Sequence, residues 1–449
     1  MSADLSARSV SRTEGVDRVR ALQRVLFRSA KQQPGRRFHA LYDKLSRRDV
    51  MWRAWSDVRS NGGAPGVDGV TIGEIDALGE SGVSEWLGEL AADLREGRYR
   101  PSGLRRVEIP KPGRSGEFRR LGIPTVADRV VMTAAKLVLE PVFEAGFSPS
   151  SFGFRPKRSA HQALEAVRVD VNRGLVWVLD ADVEDCFDSI DHDRLMEQIE
   201  RRVVDRRMLK LVRGWLRRGI LKGEAVSDVG AGTPQGSPVS PLLANIALHV
   251  LDEAWERQGG RLGTLVRYSD DFVVLAATRE RAEAARELAA ATLAGMGLRL
   301  HPEKTRIVCL RAGNEGFDFL GFHHRLVESR KWPGRWYLHK WPSRKAMASV
   351  RSRIRELTDR RYVGVDLSVV IARINRTLRG WGGYFRYGNS TRQFAAVDQY
   401  VHQRVARLAS AKHGLSGRNW TSRFSYQWLT RQDIHRLTGT VTYWAAAHA

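Results

Sequence analysis

The chain has 449 residues, with 74 Lys and Arg against 50 Asp and Glu, a net charge of +24 at pH 7. That surplus points to a polyanionic partner, nucleic acid first and anionic membrane second. No apolar run approaches the ~18 residues of a membrane span and no basic-then-apolar signal opens the chain, while two cysteines, Cys186 and Cys309, exclude a disulfide framework and a four-cysteine zinc site; the expected setting is intracellular and soluble.

Arg outnumbers Lys roughly five to one. Its planar fork suits phosphate oxygens, but a GC-rich genome explains the ratio equally, so only the total charge is assigned to function. The surplus is uneven: from Trp341 onward there are 19 basic and 5 acidic residues. Rings are interleaved with these charges at Trp381, Tyr384, Phe385, Tyr387, Trp420, Phe424, Tyr426 and Trp428. They fit either base stacking or a small helical core with the charges outside, and the core reading suits most of them.

In chain order, residues 1–15 are polar and aperiodic and predict a loose tail. Helical spacing runs from Val16 to about Arg59, turn residues fill 61–70, and a further helix spans Trp86 to Arg95. Residues 104–124 predict two basic strands joined by a turn at 112–115, followed by a helix from Val126 to Phe143. The run at 174–183 predicts a buried strand, with helices from Leu195 to Leu216. A Gly/Pro loop then feeds a long apolar helix ending near residue 255. After it come a hairpin at 266–278, a helix over 280–297 and a strand over 298–310; the last hundred residues read mainly as helices. Strands alternating with helices and hairpins imply an α+β sheet domain.

The hairpin "VRYSDDFVVLAAT" (266–278) places Asp270 and Asp271 side by side between two apolar runs, and Asp182 ends the strand at 174–183. Adjacent carboxylates out of water are unfavourable unless paired or bound to metal. Three of them suit magnesium, which prefers hard oxygen donors completed by substrate phosphates, and two such ions about 3.5–4 Å apart serve in-line phosphoryl transfer.

The flanking stretches carry a more specific signal. "YSDD" (268–271), "DVEDCFDSIDH" (182–192) and "GTPQGSPVSPLLANI" (232–246) resemble the palm motifs of reverse transcriptases encoded by group II introns. "IPKPGRSGEFRRLGIPTVADRV" (109–130) and "SFGFRPKRSAHQAL" (151–164) resemble the finger motifs of that family. "PGVDGVT" (65–71), "LHPEKT" (300–305) and "FDFLGF" (317–322) follow in the family's order, and "INRTLRGWGGYFRYGNS" (374–390) with 394–408 is similar to its maturase, or thumb, domain. Four positions depart from the pattern. Ser269 stands where Ala is usual, Arg120 where Pro is usual, and Glu184 and Asp185 where Lys and Gly are frequent.

The resemblance implies a right-hand polymerase of α+β class. Its fingers and palm, with an antiparallel sheet, would occupy 16–330, an α-helical thumb/maturase domain 331–412, and a basic segment that is a candidate DNA contact 413–449. It implies an RNA-directed DNA polymerase of the endonuclease-less type, in the cytoplasm of a bacterium and associated with its nucleoid. The partners would be group II intron RNA or another RNA template, a DNA primer or target, and dNTPs, with no membrane. Two Mg2+ would sit on Asp182, Val183, Asp270 and Asp271. Lys304 would protonate the leaving pyrophosphate, or else is a surface lysine. Lys111, Arg119, Gln235 and Tyr268 would contact the nucleotide, and Phe187 would gate against a ribose 2′-hydroxyl. Arg379, Trp381, Tyr384 and Arg386 would contact RNA, while His323 and His324 read as structural. A reverse transcriptase that has left its intron, and an RNA-binding splicing factor with a dead polymerase, are the alternatives.

Overall fold

The computed structural model describes residues 18–110, 118–217, 220–222, 225–226, 236–311, 314–415 and 423–442; of Arg119, Arg120 and 220–226 it describes the backbone alone. The tail 1–15, the turn 112–115, Lys111 and Gln235 lie outside the described residues.

Residues 18–96 are mainly helical, with a break over 33–47 that the helical spacing from Val16 to about Arg59 does not show. They form α1 (18–32), α2 (Arg48–Asn61), α3 (Ile72–Ala77) and α4 (Gly79–Glu96). α2 stops where Gly62 takes φ 58°, a left-handed cap that glycine adopts without a Cβ clash. α3 starts with a capping box in which Thr71 and Glu74 satisfy each other's backbone amides.

β1 (Leu104–Pro110) and β2 (Phe118–Ile123) form the expected antiparallel pair, with Arg105 opposite Ile123 and Pro110 opposite Phe118. α5 (Val126–Glu144) is buried almost all round, its mainly apolar residues joined in the interior by Asp128 and Arg129. α6 (Ala160–Asn172), β3 (Trp177–Asp182), the single turn α7 (Cys186–Ser189), α8 (His192–Glu200) and α9 (Arg206–Arg217) follow. Two short strands that periodicity did not reveal come next, β4 (Ile220–Lys222) and β5 (Ala225–Val226). β4 runs parallel to β1 and completes a finger sheet ordered β2-β1-β4-β5.

α10 (Ser240–Arg257), β6 (Thr264–Tyr268), β7 (Asp271–Ala276), α11 (Arg279–Ala294) and β8 (Arg306–Cys309) build the palm. Its sheet is antiparallel throughout, in the order β6-β7-β3-β8. α11 lies on one face and α6 on the other. Being covered on both faces removes the polar alternation from β7: Phe272 and Val274 enter one core, Val273 and Leu275 the other. The expected strand over 298–310 is shorter than predicted. Pro302, Glu303 and Lys304 form a turn closed by the Thr305 amide on the His301 carbonyl (3.0 Å), so only Arg306–Cys309 pairs.

β9 (Phe317–Phe319), β10 (Phe322–Glu328) and β11 (Trp336–Pro342) form a third, antiparallel sheet. β11 corrects the reading of 331–412 as helical. From Leu338 every second residue is buried, Leu338, Lys340 and Pro342, which is the period of a strand. Helices take over after it, with α12 (Arg344–Leu357), α13 (Leu367–Phe385), α14 (Thr391–Lys412) and α15 (Tyr426–Arg431). One apolar core joins Val178, Val266 and Val273 of the palm sheet to Phe317 and Phe322 of the third sheet and to Val350, Ile374 and Val397 of these helices.

His323 pairs with Asp318 (2.7 Å), whereas His324 is fully buried and stacks on Phe317. Burial and the neighbouring Lys340 hold the His324 imidazole down at about 3, so it is neutral and structural. The expected class, α+β with an antiparallel palm sheet followed by an α-helical region, is the one the chain adopts. Among the described residues no helix is long and apolar enough to cross a membrane.

Candidate active site

The site begins with strand register. β3 and β7 pair so that Asp182 lies opposite Asp271, and β6 and β7 pair so that Tyr268 lies opposite Asp271. This leaves Ser269 and Asp270 as a two-residue hairpin loop, in which Ser269 takes φ 61°. Tight hairpins demand such positive φ because their twist must match that of the strands. The Val183 amide donates to the Asp270 carbonyl (3.3 Å), which ties the loop to the end of β3. Asp182, Asp270 and Asp271 are thus brought together, although they come from parts of the chain nearly ninety residues apart.

A fourth acid joins them. Asp180, two residues before Asp182 and on the same face of β3, has its carboxyl pushed up to about 6, chiefly by burial. Burial first, then the charges of Asp180, Asp182 and Asp270, holds the Asp271 carboxyl well above its usual range. Asp270 is raised too, by burial and then by Asp182. Asp180 was legible in principle, since "WVLDAD" alternates with period two and places both acids on one side.

Two cations face these acids, one from β8 and one from the turn before it. Lys304 ion-pairs with Asp182, and Arg306 Nε donates to Asp180 (3.1 Å). The turn that shortened β8 is what carries Lys304 to Asp182. Among the described residues no group of three or more His, Cys, Asp and Glu side chains is arranged to hold a metal ion. The donor chemistry nevertheless fits magnesium. Hard carboxylate oxygens crowd on one strand end, their ionised forms are mutually unfavourable, and a lysine lends the positive charge. Val183 is buried through its side chain, so only its backbone carbonyl could contribute.

Behind the loop lies a network that sequence reasoning missed. Arg267, fully buried, donates through Nε and Nη2 to the equally buried Asp252 (2.8 and 2.5 Å). Its Nη1 donates to Asn245 Oδ1 (3.2 Å) and to the Ser269 carbonyl (3.0 Å) inside the loop. Asn245 in turn donates to the Gly153 carbonyl (2.8 Å). The Phe152 amide and the Ser150 carbonyl pair with the backbone of Arg267, so residues 150–153 dock along β6. A Cβ on Gly153 would sit 2.4 Å from the Ser269 nitrogen. Gly153→Ala should therefore displace the Asp270 loop. A shift near 1 Å at a reacting group costs on the order of 100-fold in rate. The expected result is that loss in kcat with a stability cost of about 1–3 kcal/mol, read by single-turnover kinetics beside thermal melts.

Phe187 is half-buried on α7, packed against the core immediately after β3. Asp185, just before it, takes φ 41°, which explains why Gly suits that position in the family; Asp is among the few other residues that tolerate it. Glu184 lies 4.0 Å from Arg299. Tyr268 is half-buried beside the exposed ring of Phe154, 6.4 Å between centroids. Arg119 lies on β2 opposite Ile109, its side chain outside the described residues.

The expected RNA contacts divide. Trp381 packs on Phe385 and Phe394, and Tyr384 donates its hydroxyl to the Leu320 carbonyl (2.8 Å), so both rings are committed to the core rather than displayed for bases. Arg379 is exposed, and Arg386 is half-buried with its guanidinium over Tyr387.

Residues 109–324 match the reverse transcriptase (RNA-dependent DNA polymerase) family, and residues 347–426 match the group II intron maturase-specific domain. Protein YkfC of Escherichia coli is 33% identical over 348 residues, 69% of this chain and 88% of YkfC. The group II intron-encoded protein LtrA of Lactococcus lactis subsp. cremoris is 37% identical over 216 residues, 48% of this chain and 35% of LtrA. The solved partial Cas6-RT-Cas1–Cas2 complex aligns with 57% of this chain and 41% of its own, at 22% identity and a TM-score of 0.35. The acid-bearing hairpin lies inside the first matched segment and α13 inside the second. The chain belongs to the group II intron reverse transcriptase/maturase family and is an RNA-directed DNA polymerase.

Proposed function

We propose that this protein extends a DNA primer on an RNA template with dNTPs and two Mg2+, in the bacterial cytoplasm at the nucleoid, and binds its group II intron RNA to assist splicing and retrohoming. The observation that carries the polymerase reading is the placement of Asp182 opposite Asp271, with Asp270 in the loop between β6 and β7. Asp182, Asp270, Asp271 and the Val183 carbonyl would hold the metals, which when bound activate the primer 3′-hydroxyl and neutralise the leaving phosphates.

The chain's own residues do the rest. Lys304, ion-paired with Asp182, would be the proton donor to the departing pyrophosphate. Lys111 and Arg119 grip the triphosphate, while Gln235 and Tyr268 bound the nucleotide. Arg379 and Arg386 hold RNA phosphates beyond the palm, and the thumb/maturase region 331–412 and the basic segment 413–449 carry the RNA and DNA contacts.

Primer extension on an annealed RNA template with dNTPs and Mg2+ tests the reading. Activity that disappears with excess chelator supports it; a folded protein that binds RNA but never extends would be a splicing factor instead. Phe187, by its place after β3, presses on the sugar of the incoming nucleotide. Phe187→Ala should raise ribonucleotide incorporation relative to deoxynucleotide by about 10- to 100-fold, the range one steric contact supplies, measured by competing the two nucleotides on one template.

A further inference from the structure

The buried ion pair behind the palm hairpin has a third member that no step above uses. His249, on α10, places Nδ1 3.3 Å from Asp252 Oδ2, the same oxygen that accepts from Arg267 Nη2 (2.5 Å). We propose that His249 is a positioning residue for primer extension: its Nδ1–H fixes the Asp252 carboxylate, Asp252 fixes Arg267, and Arg267 fixes the Ser269 carbonyl beside Asp270. The inference rests on the reading of Asp270 as a metal ligand and goes beyond it, assigning a role to a residue outside the acid cluster.

Residue spacing puts the parts together. Asn245, His249 and Asp252 stand at i, i+4 and i+7 of one helix and so line one face of α10. Asn245 and Asp252 both accept from Arg267. Asp252 and Arg267 are wholly buried, whereas His249 keeps 20% of its side chain exposed. The chain of contacts thus runs from solvent on one side of the palm to the loop that carries Asp270.

Chemistry decides the direction of the bond. Burial raises the Asp252 carboxyl, but the charge and bonds of Arg267, and after them His249, hold it below the usual range. It is therefore ionised and can only accept, so the imidazole nitrogen that faces it must carry the proton. Nε2 lies 3.9 Å from Glu253, beyond hydrogen-bond reach, which leaves Nδ1 as the nitrogen that makes the bond. The ring is set edge-on to Phe147, 5.3 Å between centroids at 70°. Without the Nδ1–H, one donor fewer holds Oδ2, and the carboxylate is freer to turn and carry the Arg267 fork with it.

His249 also lines a cavity of about 800 Å³ between α5, α8 and α10, with Phe143, Phe147 and Ile246 on its apolar side. That space admits a free imidazole ring, which gives the proposal a chemical test. Single-turnover primer extension on an annealed RNA template is measured beside primer–template affinity and thermal melts. His249→Ala should slow extension about tenfold, the worth of one hydrogen bond to a charged group, with affinity unchanged. Free imidazole should restore most of the lost rate in this variant and leave wild type unaffected. N-methylimidazole in mildly alkaline buffer fills the same space without an N–H and should restore nothing. His249→Asn, whose amide puts a donor where Nδ1 stood, should stay within about threefold of wild type. His249→Phe, a ring without a donor, should be as slow as the Ala variant, and Glu253→Gln, which alters only the Nε2 side, should change nothing. Rescue by both ring compounds or by neither would overturn the proposal, as would equal rates in the Asn and Phe variants. So would a His249→Ala variant that extends at the wild-type rate, or a Glu253→Gln variant as slow as His249→Ala. Wild-type protein that fails to extend would overturn the reading of Asp270 and the role of His249 together.

Discussion

Asp270→Asn should abolish primer extension by at least about a thousandfold, some 4 kcal/mol of transition-state stabilisation, while leaving the metal-free protein as stable as wild type or more so. Asp182→Asn should do the same to activity. The two effects have one cause. Asp180, Asp182, Asp270 and Asp271 crowd one end of the palm sheet, and burial together with the neighbouring charges disfavours the ionised forms of Asp180, Asp270 and Asp271. Removing one negative charge relieves that repulsion in the absence of metal, and it removes a donor that catalysis needs.

Asp271→Asn should give the clearest stabilisation, because Asp271 feels the other three acids at once and, among the described residues, has no direct cation of its own comparable to Lys304 on Asp182. Thermal melts in chelator, compared with melts in Mg2+, separate the contributions. Wild type should gain from Mg2+ and the Asp270 variant should gain less. A variant that melts well below wild type in chelator would show that the acids hold the fold together rather than strain it.

The second large effect is expected behind the loop. Arg267→Met should destabilise the protein by about 3–5 kcal/mol, because it leaves the Asp252 carboxylate buried without its partner. The Arg267 charge, and after it the two bonds from Arg267, hold Asp252 below the usual carboxylate range despite its complete burial. Asp252→Asn should cost a similar amount from the other side. Replacing both together, Arg267→Met with Asp252→Leu, should recover much of the stability, since removing a buried pair entirely avoids the desolvation of either charge. Activity should not recover with it. The same Arg267 guanidinium donates to the Ser269 carbonyl and to Asn245, so the double variant folds with its catalytic loop untethered. Chemical denaturation gives the stability terms, and single-turnover extension by the double variant reads the loop. If that variant extends primers at the wild-type rate, Arg267 supports the fold alone.

Local chemistry made much of this legible beforehand. The helices over 18–32 and Arg48–Asn61, the glycine-rich turn at 61–70, the apolar run of β3 and the hairpin around Asp270 each depend on neighbours in sequence, and each formed where periodicity or turn residues placed it, apart from the break over 33–47. The acids were conspicuous because two carboxylates between apolar runs need an explanation, and motif order supplied the family. β4 was not visible: its pairing with β1 is parallel and joins residues more than a hundred positions apart, which no local pattern encodes. β11 was hidden by the basic, aromatic composition that it shares with the helices after it.

By itself, then, the sequence determined the α+β class, the position of the palm hairpin, three of the four clustered acids and the family. These depend on residue type at short spacing. Tertiary structure alone decided four other things. It brought Asp180 into the acid cluster, because strand register, not sequence distance, sets which charges share a face. It turned Lys304 onto Asp182 through a bend at Pro302. It packed Trp381 and Tyr384 against the core, half-buried, because a ring on an amphipathic helix goes wherever the core needs apolar area. It opened a cavity beside His249, since the walls come from helices far apart in sequence.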